Sequence, residues 1–182
     1  NTWVVFTSDN GPWLPYKQAG GSAGPLRDGK NSHCEGGFRV PCIMWGGMVK
    51  PGHITQMGST LDLLPTCCEM AGIDLPAGVE LDGVSLLNVL QDSRATPKRE
   101  NFFFYRGSQL YAVRKGKYKL HYRNKSAYGN DPVVVYDKPR LYDLGTDPSE
   151  KYDIAAQHPE VVKDLDEMAA AHKASFKVAE SI

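Results

Sequence analysis

At 182 residues, 41% of them hydrophobic and 23% charged, the chain can hold one large or two small domains around a proper core, which excludes a disordered protein. Lysine plus arginine total 21 and aspartate plus glutamate total 21, so no net field recruits nucleic acid or an anionic membrane, and any anion site has to be local. The longest apolar run, residues 40–49, is too short and too rich in glycine and proline to span a bilayer.

Taken in order, residues 2–7 read as a buried strand that stops at Ser8-Asp9-Asn10-Gly11-Pro12. In open α/β sheets ligands gather beyond the carboxyl ends of parallel strands, so Ser8 to Gly11 is the first place to look for chemistry. The chain begins in this strand without a basic and apolar leader and reads as a cut end, from which neither export nor cytosolic residence follows. Residues 11–31 show no helical or alternating period. A connection of that length carrying Trp13, Tyr16, Lys17, Arg27 and Lys30 reads as a functional loop, with Trp13, Tyr16, Arg27 and Tyr105-Arg106 as a pocket wall. Gly36-Gly37 permits a tight backbone approach, and residues 38–45 read as a second buried strand.

Residues 59–71 read as a helix capped by Ser59 or Thr60, with Pro65 in its first turn or at a kink and Gly72 at its end. Asp82-Gly83 marks a turn, residues 84–90 a short amphipathic helix, and the polar stretch 91–100 a domain boundary, dividing the chain into 1–97 and 98–182. Beyond it, residues 102–106, 110–114 and 117–123 form an antiparallel meander, with 133–136 and 140–144 adding a further strand or pair. A helix over 158–178 presents Val161, Leu165, Met168, His172 and Phe176 on one face. The expected second domain is a small antiparallel sheet packed on a long helix.

Asp9 and Asn10 offer adjacent hard oxygens, suited to calcium or, less well, magnesium rather than zinc; the same residues also suit a plain turn. Residues 24–30 mimic a nucleotide-binding loop, but Pro25 removes a backbone donor, Asn31 replaces the magnesium-binding hydroxyl and no strand precedes Gly24. Lys30 can bind an oxyanion as a point charge or sit solvated on the surface. Arg39 either braces the site through Glu35 or Asp9 or lies on the surface. His33 either contacts substrate or donates a proton, or stands by. His53, His121, His158 and His172 read as structural. Asn124-Lys125-Ser126 fits a glycosylation sequon that locates nothing. The four cysteines fit no zinc pattern, and buried free thiols are the expectation.

The ordered series Phe6-Thr7-Ser8-Asp9-Asn10-Gly11-Pro12, Gly29-Lys30, and Glu35-Gly36-Gly37-Phe38-Arg39-Val40-Pro41 resembles the carboxy-terminal portion of the type I sulfatases, nearest to their arylsulfatase A and N-acetylgalactosamine-6-sulfatase branch. Support continues through Leu81-Asp82-Gly83-Val84, Ala112-Val113-Arg114-Lys115-Gly116-Lys117-Tyr118-Lys119 and Leu141-Tyr142-Asp143-Leu144-Gly145-Thr146-Asp147-Pro148. The resemblance implies the end of an alkaline-phosphatase-like α/β domain with a mixed sheet, followed by a small α+β domain. It implies that Asp9 and Asn10 bind calcium, that Lys30 contacts the sulfate of a sugar or aryl sulfate ester, and that the compartment is periplasmic, secreted or lysosomal. The family's formylglycine motif, Cys/Ser-x-Pro-x-Arg, is absent from these 182 residues, so the nucleophile is expected upstream. A phosphodiesterase or phosphonate hydrolase of the same superfamily, or a catalytically inert fragment, is the alternative. Strands 2–7 and 38–45 would then expose apolar faces unless the missing N-terminal portion covers them or the piece self-associates as a homo-oligomer.

Overall fold

The computed structural model describes residues 2–128 and 131–175 and divides into two compact units: residues up to Asp9 with Pro41–Glu100, and Asn10–Val40 with the chain from Asn101 onward.

In the first unit, β1 (Trp3–Thr7) pairs with β2 (Cys42–Gly46). The pairing is antiparallel, with Val4 opposite Trp45 and Phe6 opposite Ile43. The expected second strand therefore starts at Cys42 rather than residue 38, and β1 is not fully buried. Residues directly opposite one another share a face of the sheet. One face carries Trp3 and Met44 against Leu86, Val89 and Leu90. The other carries Val4, Phe6, Ile43 and Trp45, with Phe6 and Trp45 67% and 68% exposed. Two strands with a single helical layer cannot cover both faces, so the apolar alternation shows on the outside as the sequence anticipated.

The helical layer is built around Asp62. Ser59 caps a 3-10 turn over Thr60–Asp62 in a capping box, the Ser59 amide donating to Asp62 Oδ2 (2.8 Å). The regular helix α2 then runs Leu63–Ala71, with Pro65 in its first turn and Gly72 closing it in the left-handed region at φ 67°. Asp62 Oδ1 also accepts the Val84 amide (2.9 Å), and the Arg99 guanidinium grips both carboxylate oxygens. This carboxylate is fully buried and ties the cap, the Asp82-Gly83 turn and residue 99 into one knot. A short helix over Leu87–Gln91 closes the layer, later than the expected 84–90.

In the second unit, a one-turn helix Glu35–Phe38, α1 in chain order, occupies the Gly36-Gly37 stretch that had been expected to lead directly into a strand. Counting Leu87–Gln91 as α3, the last helix is α4 (Pro159–Ser175). Strands β3 (Asn101–Arg106), β4 (Gln109–Lys115), β5 (Tyr118–Asn124) and β6 (Val134–Asp143) form an antiparallel sheet in that order. The expected pieces 133–136 and 140–144 are one strand, and Pro139 lies within it because β6 is an edge. Phe103, Tyr105, Val113, Leu120 and Tyr122 pack with Leu165 and Ala169 of α4. A register shift after Phe104 leaves Tyr111 as an extra residue, so that Leu110 joins Val113 in this layer. His172 stacks on Phe103 at 3.6 Å, the packing role expected of it, whereas Phe176 lies outside the described residues. Cys34 and Cys68 are buried free thiols, but Cys42 and Cys67 are exposed.

The Asp62 knot yields a stability prediction. Arg99→Met leaves a buried carboxylate without its counter-charge and is expected to cost about 3–5 kcal/mol in urea unfolding, far more than Lys98→Met, whose pair with Glu69 is exposed.

Candidate functional site

Asp9 is exposed and is the last residue of its stretch of the first unit; Asn10, half-buried, is the next residue and opens the loop of the second. That loop is not a slack connection. The Gly11 amide donates to the Gly37 carbonyl (2.9 Å), the Lys30 amide to Pro12 (2.9 Å) and the Gly36 amide to Arg27 (2.8 Å). A Cβ on Gly11 would collide with the Gly36 carbonyl, and one on Gly36 with the carbonyls of Arg27 and Asp28, so the glycines are what let these strands of loop touch. Asp28, in the left-handed region at φ 64°, accepts its neighbour's amide through Oδ1 (3.0 Å) and the Ala127 amide through Oδ2 (3.1 Å). Tyr128 Oη donates to the Pro12 carbonyl and receives the Leu14 amide. Lys30 is thereby held on a fixed backbone, its ammonium 5.7 Å from the centre of the Trp13 ring.

The loop covers the face of the four-stranded sheet that α4 leaves open, and the anchor is a buried charge cluster. Lys119 Nζ, on β5, lies 3.0 Å from Glu35 Oε1 and 3.1 Å from Glu150 Oε1. Arg114 Nη1 reaches Glu35 Oε2 (3.2 Å), His121 Nε2 reaches Glu150 Oε1 (2.8 Å), and Glu150 Oε2 accepts the Glu35 amide (2.7 Å). Arg27 donates to the Glu150 carbonyl, so loop, sheet and the 147–153 turn meet here. Lys119 is 0% exposed, and its ammonium also lies over Phe104, 4.2 Å from the ring centre. Burial alone would push the Glu150 carboxyl up, but His121, Lys119 and the Glu35 amide hold it down at about 2. Burial lowers His121, so the neutral ring donates from Nε2 while Lys119 supplies the charge.

Of the residues singled out in the sequence, Asn10 and Lys30 share this unit, whereas Arg39 is exposed and Glu35 takes Lys119 and Arg114 in place of it. His33 is only 4% exposed: it stacks on Tyr111 (4.1 Å) and its Nε2 faces the Tyr105 carbonyl (3.3 Å). Burial pushes it down to about 4, so it is neutral above that pH. Burial and the neighbouring Glu150 push the Cys34 thiol up to about 11, which makes it a poor nucleophile. The sequence reading missed the partnership of Lys119 and Glu150. Its one signal was Lys119 and His121, two polar residues alternating with Tyr118, Leu120 and Tyr122 on a strand of otherwise aromatic and apolar character.

Among the described residues, no three His, Cys, Asp or Glu side chains gather in a group able to hold a metal ion. Calcium takes six to eight oxygens as a rule. Asp9 and Asn10 have the right donor chemistry for part of such a shell.

Comparison with known proteins bears on this arrangement. Residues 1–73 match the family described as Sulfatase, and residues 97–182 the one described as the C-terminal region of aryl-sulfatase. Together these matches take in most of the chain, which belongs to the sulfatase family and corresponds to its carboxy-terminal portion. Among relatives, arylsulfatase A of Homo sapiens is 37% identical over 92% of this chain, and N-acetylgalactosamine-6-sulfatase of Homo sapiens 31% identical over 95%. The crystal structure of a sulfatase from Pseudoalteromonas sp., PsFucS1, superimposes with a TM-score of 0.86 at 25% identity over 99% of this chain and 39% of its own. A Bacteroides thetaiotaomicron structure described with glycosaminoglycan metabolism gives 0.74 at 31% identity, covering 96% of this chain and 39% of its own. The chain spans 37% and 38% of the two curated relatives, a little over a third of their length.

The buried groups set an acid limit on this unit. His33 and His121 sit below the ordinary histidine value of 6.5 and Glu150 below the ordinary carboxyl value of 4.5, so in each case the unfolded chain binds the proton first. Stability contributed by the histidines is therefore lost as pH falls below 6.5, and that of Glu150 as pH falls from 4.5 toward about 2. Urea midpoints measured from pH 8 to 4 are expected to drop steadily below about 6.5, and His33→Gln to flatten the limb between 6.5 and about 4.

Proposed function

We propose that the chain is the carboxy-terminal portion of a sulfate ester hydrolase acting on aryl or carbohydrate sulfates, and that it contributes calcium and sulfate ligands rather than the nucleophile. The observation that carries this is the fixed loop: Asn10 and Lys30 stand on one long loop whose backbone is closed by the Gly11–Gly37 and Lys30–Pro12 hydrogen bonds. The proposal divides the chain at 97/98, with 1–97 as the end of the catalytic α/β domain and 98–182 as the small carboxy-terminal domain. The separate family matches over 1–73 and 97–182 support that division.

In this reading Asp9 and Asn10 supply hard oxygens to a calcium ion, whose remaining ligands lie elsewhere in the complete protein. Bound there, calcium would neutralise charge on the ester's sulfate oxygens. Lys30 offers an ammonium to the same oxygens and stabilises the charge that shifts as the sulfur–oxygen bond to the alcohol breaks. Tethering its backbone to Pro12 lets it do so without reorganising at the moment of reaction. His33 was expected to touch substrate; its buried, neutral ring suits it to fixing the turn that follows Lys30. The formylglycine nucleophile belongs to the portion of the enzyme upstream of Asn1, because no cysteine or serine in this chain begins the required motif.

Lys30→Ala in the complete protein is expected to lower turnover of an aryl sulfate by at least about a hundredfold, in line with loss of one preorganised charge interaction. Turnover near the wild-type value in that variant would remove Lys30 from the reaction.

A further inference from the structure

The short 3-10 segment over Leu14–Gly20 buries none of its residues, with Trp13 just before it and Tyr16 on it, 47% and 58% exposed. Neither side chain belongs to a hydrophobic core of its unit. Their rings lie 4.5 Å apart at 43°, and the Lys30 ammonium lies over the Trp13 ring, 5.7 Å from its centre. The backbone beneath them is stiff. The Trp13 amide donates to Gly20 and the Tyr16 amide to Trp13, while Tyr128 clasps Pro12 and Leu14 on either side of the tryptophan. A Cβ on Gly20 would strike the Trp13 carbonyl, and Lys17 is held in the left-handed half of backbone space at φ 49°. A loop built only to connect would not hold two large rings in water at such cost in exposed apolar surface.

Rigid aromatic faces beside a cation suit a ligand that is flat and apolar at one end and anionic at the other. We propose that Trp13 and Tyr16 form the stacking platform for the ring of the alcohol whose sulfate Lys30 receives. This rests on the sulfate-ester reading of Lys30 and adds to it the part of the site that selects the alcohol. Stacking recognises a pyranose through its C–H face and an aryl ring through its π face, and a flexible alkyl chain gains far less from it. The platform therefore acts as a specificity element, favouring ring-bearing esters over acyclic ones while leaving the sulfate contacts alone.

The test compares kcat/KM of the complete protein on 4-nitrophenyl sulfate, galactose 6-sulfate and hexyl sulfate. Wild type is expected to prefer at least one ring ester over hexyl sulfate, and Trp13→Ala to erase about tenfold of that preference through KM, with kcat little changed. Trp13→Phe should restore most of it, and Tyr16→Ala should lose part of it, which separates stacking from a folding defect. The ring ester with the larger loss tells a sugar platform from an aryl one. The proposal is overturned if the preference survives both alanine variants, or if all three esters lose equally. Wild-type turnover with an intact Lys30 effect and no platform effect sinks this inference alone, whereas no turnover of any ester sinks the sulfatase reading with it.

Discussion

The second unit depends on one interaction: a lysine ammonium with no exposure to water, held between two buried carboxylates. Lys119 would be intolerable in that position alone, and so would Glu35 or Glu150. Together, with Arg114 on the second oxygen of Glu35 and His121 on Glu150, they satisfy one another. Such a cluster need not be more stable than an apolar plug of the same shape, but it is far more demanding of geometry. Glu35 is fixed by it at the start of a turn whose glycines pack on Gly11, Arg27 and Asp28, and Lys30 is carried in the same knot of backbone. The charge cluster is thus the reason a long loop with little regular structure behaves as a scaffold.

Much of this was legible beforehand and part of it was not. The capping box at Ser59, the proline in the first turn of α2 and the left-handed Gly72 follow from local chemistry, and local chemistry decided them. The meander was readable from aromatic runs broken by Gly107-Ser108 and Lys115-Gly116, whose glycines both take positive φ. The one-turn helix at Glu35–Phe38 was not, because Gly-Gly has almost no helical preference of its own and takes that form through contacts with residues 27–32. The candidate site was legible only as a list of residues, Asp9, Asn10, Lys30 and His33, since these stand in or beside the ordered motifs. The role of Glu35 was not, because its partners stand 79 to 115 residues further on, at Arg114, Lys119 and Glu150, and no local pattern pairs a glutamate with so distant a lysine.

The first unit shows the complementary situation. Its β1–β2 ribbon is apolar on both faces and covered on one, leaving Val4, Phe6, Ile43 and Trp45 in water. A two-stranded ribbon with such a face is at the lower limit of what is stable by itself. The family relatives, of which this chain matches a little over a third, have ample further sequence to lie against it.

The central claim, that Asp9, Asn10 and Lys30 serve one sulfate-ester site, is tested most directly by a crystal structure of the complete protein with calcium and a slowly hydrolysed sulfate ester. The account predicts oxygens of both Asp9 and Asn10 within about 2.3–2.6 Å of the calcium ion, with Lys30 Nζ hydrogen-bonded to an oxygen of the same sulfate. Calcium bound without either residue, or a sulfate out of reach of Lys30, would contradict it.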